Sequence, residues 1–492
     1  MNTTEHIEAD YVIVGAGATG MAFADELLTC SDATMAIVDR RHAPGGHWND
    51  AYPFVRLHGP SQHYGVNSRP LGAGGIEAQG LNRGLPERAS AAAVRDHFDQ
   101  VLRERLLPSG RVRYLPMHDW RPDPSEPMQG AAISRVGGRR LSLRARRRIV
   151  DATRADTQLP GTHAPPFHVA QSARWVTPGE LTTLREPASG YTVVGAGKTA
   201  MDTVLWLLEQ GVASEAIRWV RPREAWLLNR ADLQPRWESF PRALAAQVLQ
   251  IEAAAEATSV DQLFLVLEAG GLMMRIDRQV QPTMFRCALV SEHELHELRR
   301  IRQVIRAGHV RALEPERVVL DRGVLPLPAG HLVVHCAANG IPARPPEPAF
   351  QGPRLVLHFV RRCAPSFSAA LLARLEAAPL EDEHRNAMSH PVPAPEVPAD
   401  WLRMQLQEAG NERGWRELPD LAAWLGSARL AGFSTLMARA ARERTPEIDT
   451  LLSRMRQALE PGLVNMARML KVGAEEESRR AARTAAPIVE AA

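Results

Sequence analysis

Two short glycine turns constrain this chain more than any other feature. Residues 11–14 (YVIV) form an apolar run; Gly15, Gly17 and Gly20 follow in the spacing G-x-G-x-x-G, and an amphipathic stretch continues to about Leu28. A second apolar run, residues 35–38 (MAIV), ends at Asp39. Strand, tight turn, helix and strand in that order predict a β-α-β unit. In such a unit the first glycine permits the turn, the second lets the backbone approach a pyrophosphate, and the third lets helix and strand pack closely. The helix N-terminus then faces the phosphates. Asp39 stands nineteen residues after Gly20, where a carboxylate accepts hydrogen bonds from a ribose diol. Arg40, next to it, joins the expected cofactor-binding set.

The pattern recurs at 191–220 as YTVV, then Gly195, Gly197 and Ala200 in G-x-G-x-x-A, then MDTVLWLLEQG and AIRWV. Lys198 and Thr199 lie inside this second turn and are expected at a bound nucleotide. A triphosphate loop is excluded, because the glycine it needs five residues before Gly197 is Thr192. No acid follows the second strand; Arg221 and Arg223 do. A guanidinium fork suits a 2′-phosphate, which predicts NADPH over NADH. The alternative for both arginines is a solvated loop. Asp202 opens the second helix and reads as its cap.

Two such units predict an α/β protein with two doubly wound Rossmann-like dinucleotide-binding domains, a helical insert and a helical C-terminal region. The expected division is a first domain over 1–185, a second with the helical insert over 186–325, a return to the first over 326–390, and a helical cap and tail over 391–492. RRRIVDAT (146–153) and LVVHCAANG (332–340) read as buried strands of the first sheet. Residues 240–310 read as largely helical, 390–401 as a proline-rich strap, and the stretch from Glu476 as a frayed tail.

Composition excludes several classes. A chain of 492 residues has room for two or three domains. Its net charge of +3 gives no case for nucleic acid or an anionic membrane. The apolar stretch at 11–28 contains three glycines, Asp25 and Glu26, so it is no membrane span. Met1 to Asp10 is polar and acidic and lacks a secretory pattern, which predicts a cytoplasmic protein. Only two residues are lysine, Lys198 and Lys471, amid many arginines and alanines, a bias read as bacterial. Cys30, Cys287, Cys336 and Cys363 are far apart, which argues against a disulfide framework, a zinc site and the close cysteine pair of flavin disulfide reductases. HELHE (293–297) is not H-E-x-x-H; His293 and His296 read as surface residues, and no metal is expected. Trp206, Trp219 and Trp226 read as packing residues.

PGGHW (44–48) follows Asp39, and YPFVRLHGPSQHYGVNS (52–68) comes next. These segments resemble the flavin-containing and Baeyer–Villiger monooxygenase superfamily. There a GG-x-W segment follows the acid that binds the FAD ribose, and Y-P-x-x-R-x-D-x-x-S-x-x-Y runs past the flavin ring. Tyr52, Pro53, Arg56, Ser61 and Tyr64 match; His58 stands where the family has Asp. The resemblance covers roughly 10–70, 146–225 and 330–342. It implies that Gly46 and Trp48 line the FAD site and that Arg56, His58, Ser61 and Tyr64 lie at the reaction site. His58 is either a group donating to flavin-bound oxygen or a structural histidine satisfied by backbone. DAT (151–153) and CAANG (336–340) resemble the family's linking A-T-G segments, although Arg154 replaces a glycine. In PPFHVAQSARW (165–175), Phe167 fits the Baeyer–Villiger fingerprint F-x-G-x-x-x-H, but Val169 and Ala173 replace its Gly and His.

The resemblance therefore implies FAD and NADPH as cofactors, O2 and a small molecule as reactants, a flavin C4a-peroxide, and hydroxylation, including at a heteroatom, over ketone-to-ester insertion. A homodimer stays open. Two alternatives use the same motifs: a flavin oxidase or dehydrogenase without oxygen insertion, and a regulatory protein sensing nucleotide.

Overall fold

The apolar runs flanking both glycine turns become central strands. The computed structural model describes residues 5–485, with side chains through Glu476. Strand β1 (His6–Val14) leads through the first turn into helix α1 (Ala18–Cys30) and strand β2 (Met35–Val38). With β3 (Val112–Leu115), β4 (Arg140–Asp151) and Arg354–Val356 they form a parallel core in the order β3, β2, β1, β4, Arg354–Val356. Strands His118–Pro122 and Gln129–Ser134 add an antiparallel meander to β4. Tyr11, Val12 and Ile13 are at most 1% exposed, as a strand covered on both faces requires. One face packs against α1 and the helix Pro365–Ala377, the other against the meander.

The second turn links β5 (Gly190–Val194), α2 (Lys198–Glu209) and β6 (Ile217–Val220). Its sheet is wholly parallel, in the order Gln303–Ile305, β6, β5, His331–His335, Trp175–Val176. RRRIVDAT forms part of β4 in the first sheet, as expected. LVVHCAANG does not return there: His331–His335 pairs with β5, and the chain rejoins the first sheet only at Arg354–Val356. A run of apolar residues marks a buried strand but not its partner.

Residues 240–310 are mixed, not largely helical. Helices Phe240–Glu256, Val260–Ala269 and Glu292–Leu298 alternate with Met273–Met274 and Met284–Val290, which flank Ala225–Asn229 in a small sheet. The C-terminal helix Pro446–Ala485 packs along Phe240–Glu256. It runs through Glu476, where the sequence suggested fraying; residues 486–492, and Met1 to Thr4 of the polar N-terminus, lie outside the described residues. No helix among the described residues is long and apolar enough to cross a membrane. The expectation against a disulfide framework is corrected at one pair: Cys287 and Cys363, 76 residues apart, form a disulfide. Sequence spacing cannot reveal a pair made by tertiary contact. Cys30 and Cys336 are free.

Three histidines are buried and two, His47 and His63, are half-buried. His97 accepts a hydrogen bond from the Val66 N–H at 3.2 Å, His335 lies between the rings of Phe167 and Trp175, and His358 bonds the Ser389 carbonyl. Burial pushes these three, with His47 and His63, from the ordinary 6.5 down to about 4. All five are therefore neutral in the folded protein near pH 7. Below 6.5 the unfolded chain takes up protons that the folded one refuses, so stability falls with pH until both forms are charged near 4. Each histidine costs at most about 1.4 kcal/mol per pH unit. Denaturant unfolding followed from pH 7.5 to pH 4.5 should show stability level above about pH 7 and falling steeply below about pH 6; a flat profile would contradict the buried neutral rings.

Candidate dinucleotide cleft

Each glycine of the first turn meets a distinct constraint. Gly15 has φ +104°, and its N–H donates to the Val38 carbonyl at 2.8 Å. A Cβ on Gly20 would stand 1.9 Å from the Gly15 carbonyl oxygen, so helix and strand touch backbone to backbone. A Cβ on Gly17, the α1 cap, would meet only the Gly46 Cα at 3.7 Å. Gly46 (φ +57°) thus seals one side of the turn and leaves the N-terminus of α1 clear. Asp39 is buried; one oxygen accepts from the Ala16 N–H at 2.5 Å and the other from the Arg41 N–H at 2.7 Å. Burial raises its pKa, and these N–H groups oppose the rise. Each oxygen keeps one further acceptor site. Arg40 is exposed.

The strap from Trp48 to Ser68 crosses from this turn to the second. Trp48 Nε1 donates to the Tyr64 hydroxyl at 2.8 Å, with the rings edge to face. Burial lifts the Tyr64 phenol to about 12. Tyr52 donates to Asp202 Oδ2 at 2.7 Å, and Phe54 stacks on Trp206 at 4.8 Å. Asp202 does not cap α2, whose N-cap is Gly197 without a side-chain bond; it joins the strap to α2 instead. Lys198 folds back onto the other Asp202 oxygen, and Thr199 accepts Thr203 Oγ1 at its carbonyl. Ala200 is fully buried beneath the turn.

The four expected reaction-site residues separate. His58 is half-buried, and burial, then Lys198 and Arg230, push its pKa well below 6.5. Its carbonyl, not its ring, accepts from Arg230 Nε at 2.7 Å. Tyr64 faces Trp48 in the first cradle. Ser61 instead spans the backbone, donating to the Glu87 carbonyl at 3.0 Å and accepting from the Ala89 N–H at 2.8 Å. Arg56 is exposed and donates to the Arg88 carbonyl at 3.1 Å. Those two tether the strap.

In the second turn Gly195 has φ +138°, and a Cβ on Gly197 would meet nothing within 4 Å. Trp219 Nε1 bonds the Gly195 carbonyl at 2.7 Å, while Trp226 packs against Phe264. Arg221, 2% exposed, stacks on Trp219 at 4.6 Å and touches Glu224 at 3.1 Å. Its Nε and Nη1 are buried without a protein partner, and burial lowers its pKa to about 10. Arg223 turns away to Glu396 of the proline-rich strap, 3.6 Å distant.

Sequence reasoning missed the seam between the halves. Arg230, wholly buried, pairs with Glu294 at 2.6 Å and with Asn82, and donates to the Leu289 carbonyl at 2.8 Å. Glu294 also binds Arg88 at 3.1 Å. It belongs to HELHE, whose charge pattern suggested only a surface helix; its capping box with Ser291 was the available signal. His293 and His296 are exposed, and no metal-binding group occurs among the described residues. Arg429 of the C-terminal region donates to the Gln62 carbonyl at 2.6 Å, the Tyr64 carbonyl at 3.0 Å and the Val66 carbonyl.

No protein-family model matches the chain. It is 44% identical over 424 residues to the "uncharacterized protein Rv2000" of Mycobacterium tuberculosis, covering 86% of this chain and 78% of the relative. A counterpart in Mycobacterium bovis matches equally. Among solved structures, the polycyclic ketone monooxygenase of the fungus Thermothelomyces thermophila superposes with a TM-score of 0.50 at 13% identity, over 94% of this chain and 89% of that one. The chain belongs to the family of the mycobacterial protein and shares the fold of the fungal polycyclic ketone monooxygenase.

Proposed function

We propose that this chain is a FAD- and NADPH-dependent monooxygenase that transfers one atom of O2 to a small organic substrate. The observation that carries the reading is the 2.7 Å Tyr52–Asp202 hydrogen bond, because it ties the strap after the first glycine turn to the helix of the second. Two dinucleotide cradles held together in this way suit hydride transfer between their ligands.

The residues fit both groups. At the first turn, the uncapped α1 N-terminus, the open face of Gly17 and the spare acceptor sites of Asp39 suit a pyrophosphate and a ribose diol. At the second, the clear space over Gly197 suits another pyrophosphate. The orphaned Nε and Nη1 of Arg221 suit a 2′-phosphate, which would satisfy both buried donors. FAD at the first turn would supply the electron path from NADPH to O2. The protein's own contribution is orientation and exclusion of water. Trp48 and Tyr64 wall the first cradle, and Tyr52 stays protonated because burial, then Asp202, raises its pKa well above 10. His58, neutral in its half-buried position, can offer one N–H and one acceptor to a reacting oxygen without adding charge. Val169 and Ala173, in place of the Baeyer–Villiger Gly and His, favour hydroxylation over ester formation.

Denaturing the purified protein should release FAD. Gly20→Ala should abolish its retention, since the new methyl collides with backbone, whereas Gly197→Ala should leave stability within about 0.5 kcal/mol and raise KM for NADPH. Arg221→Ala should raise KM for NADPH by roughly 10- to 100-fold, the equivalent of 1.5–3 kcal/mol, with NADH little affected; equal loss with both cofactors would remove the 2′-phosphate assignment. Turnover under labelled oxygen gas, across amines, acids and aromatics, should yield product bearing one labelled atom. Stoichiometric hydrogen peroxide with unlabelled product would make the protein an oxidase.

A further inference from the structure

Cys287 and Cys363 join parts of the chain that belong to different sheets. Cys287 lies in Met284–Val290, the strand paired with Ala225–Asn229 after the second nucleotide unit. Cys363 lies in the loop between Arg354–Val356, the returning strand of the first sheet, and the helix Pro365–Ala377. Their Cα atoms are 6.9 Å apart. The disulfide is thus a covalent tie between the two halves that the seam of Tyr52, Arg230 and Glu294 holds by polar contacts.

Both cysteines occupy backbone conformations that side chains avoid. Cys287 has φ +53° and Cys363 has φ +46°. They are two of only four non-glycine residues with positive φ among the described residues. At Cys287 the cause is a bulge: Trp226 pairs with Phe285, but Leu228 pairs with Leu289, so the strand carries extra residues between them. A bulge of this kind re-aims a side chain out of the ladder. Left-handed backbone at a β-carbon-bearing residue is disfavoured and persists only where surrounding structure demands it. Two separate irregularities, each aiming a sulfur at the other, point to a pairing built into the fold. The pair is also open to solvent: Cys363 is exposed and Cys287 half-buried.

We propose that Cys287–Cys363 is a thiol–disulfide exchange site, reduced from the Cys363 side by a dithiol, and that its state governs how firmly the two halves are joined. A thiolate of the reductant attacks the accessible Cys363 Sγ. The bond to Cys287 breaks, and the Cys287 thiolate takes up a proton. The second thiolate of the reductant then attacks the mixed disulfide, releases Cys363 as a thiol and leaves the reductant as its own disulfide. Two electrons and two protons pass to the protein. In the dithiol form nothing covalent holds either cysteine in its left-handed conformation, and Met284–Val290 and the loop before Pro365–Ala377 loosen. This goes beyond the proposed oxygenation and does not depend on it.

The test uses the full-length protein without denaturant. Diamide treatment followed by non-reducing peptide mapping should recover Cys287 linked to Cys363. Dithiothreitol under native conditions should open that link. Cys363 should then alkylate on the order of tenfold faster than the buried Cys336. Hydrogen exchange of residues 284–290 and 358–364 should rise on reduction, and Cys363→Ser should exchange like reduced wild type whether or not diamide is present. Absence of the linked peptide after diamide, or a link that opens only on unfolding, would overturn the exchange site. Equal exchange in the oxidised and reduced wild type would overturn its hold on the two halves, even if the variant fails to fold.

Discussion

Arg230 and Glu294 form an ion pair that neither half of the protein could bury alone. A fully enclosed guanidinium is costly unless each donor finds an acceptor. Arg230 finds them in both halves: the His58 carbonyl and Asn82 on one side, Glu294 and the Leu289 carbonyl on the other. Burial alone would raise the Glu294 pKa, yet Arg230, Arg88 and Lys198 hold it at about 2. The charges therefore persist, and their cost is met only while the strap and the second unit are docked together. This pins Tyr52 against Asp202 and holds the His58 backbone at the seam.

The strap is fixed at its other end by acids in α1. Asp25 and Glu26 are buried in a helix otherwise made of small and apolar residues. Asp25 accepts from Ser68 and from Arg105, while Glu26 accepts from Asn67, Arg374 and Trp424. The strap, the helix Pro365–Ala377 and the C-terminal region thus converge on the helix that opens the first cradle. Arg429 completes the grip by gathering three strap carbonyls. The C-terminal region carries no recognisable motif because its contribution is to hold other residues.

Much of this was legible in the sequence, and the rest was not for physical reasons. Gly15, Gly20 and Gly195 announce themselves because only glycine tolerates their conformations or contacts, so spacing alone exposes the turns. The β-α-β order then follows from periodicity. Ser61 and Arg56 matched a family pattern, but a pattern records identity and not whether a hydroxyl is already spent on backbone. Asp202 and Glu294 looked like ordinary helix residues because their partners, Tyr52 and Arg230, lie far away in the chain. His331–His335 was given to the wrong sheet because a strand covered on both faces carries no mark of its neighbour. The Cys287–Cys363 pair was equally hidden, because tertiary contact alone brings together residues 76 apart in the chain.

The route of the chain has a consequence for how the protein is made. β4 is complete at Asp151, but its neighbour Arg354–Val356 comes some two hundred residues later, after the whole second sheet. On the ribosome, Ile149 to Asp151 therefore present unpaired backbone at a sheet edge while the intervening unit emerges. Contacts of such sequence separation form slowly, because a long loop must close first. The second unit, all parallel and built around its own turn, has the means to settle in that interval and bring the loop's ends together. Order of synthesis would then decide order of assembly, with the first sheet begun first and finished last.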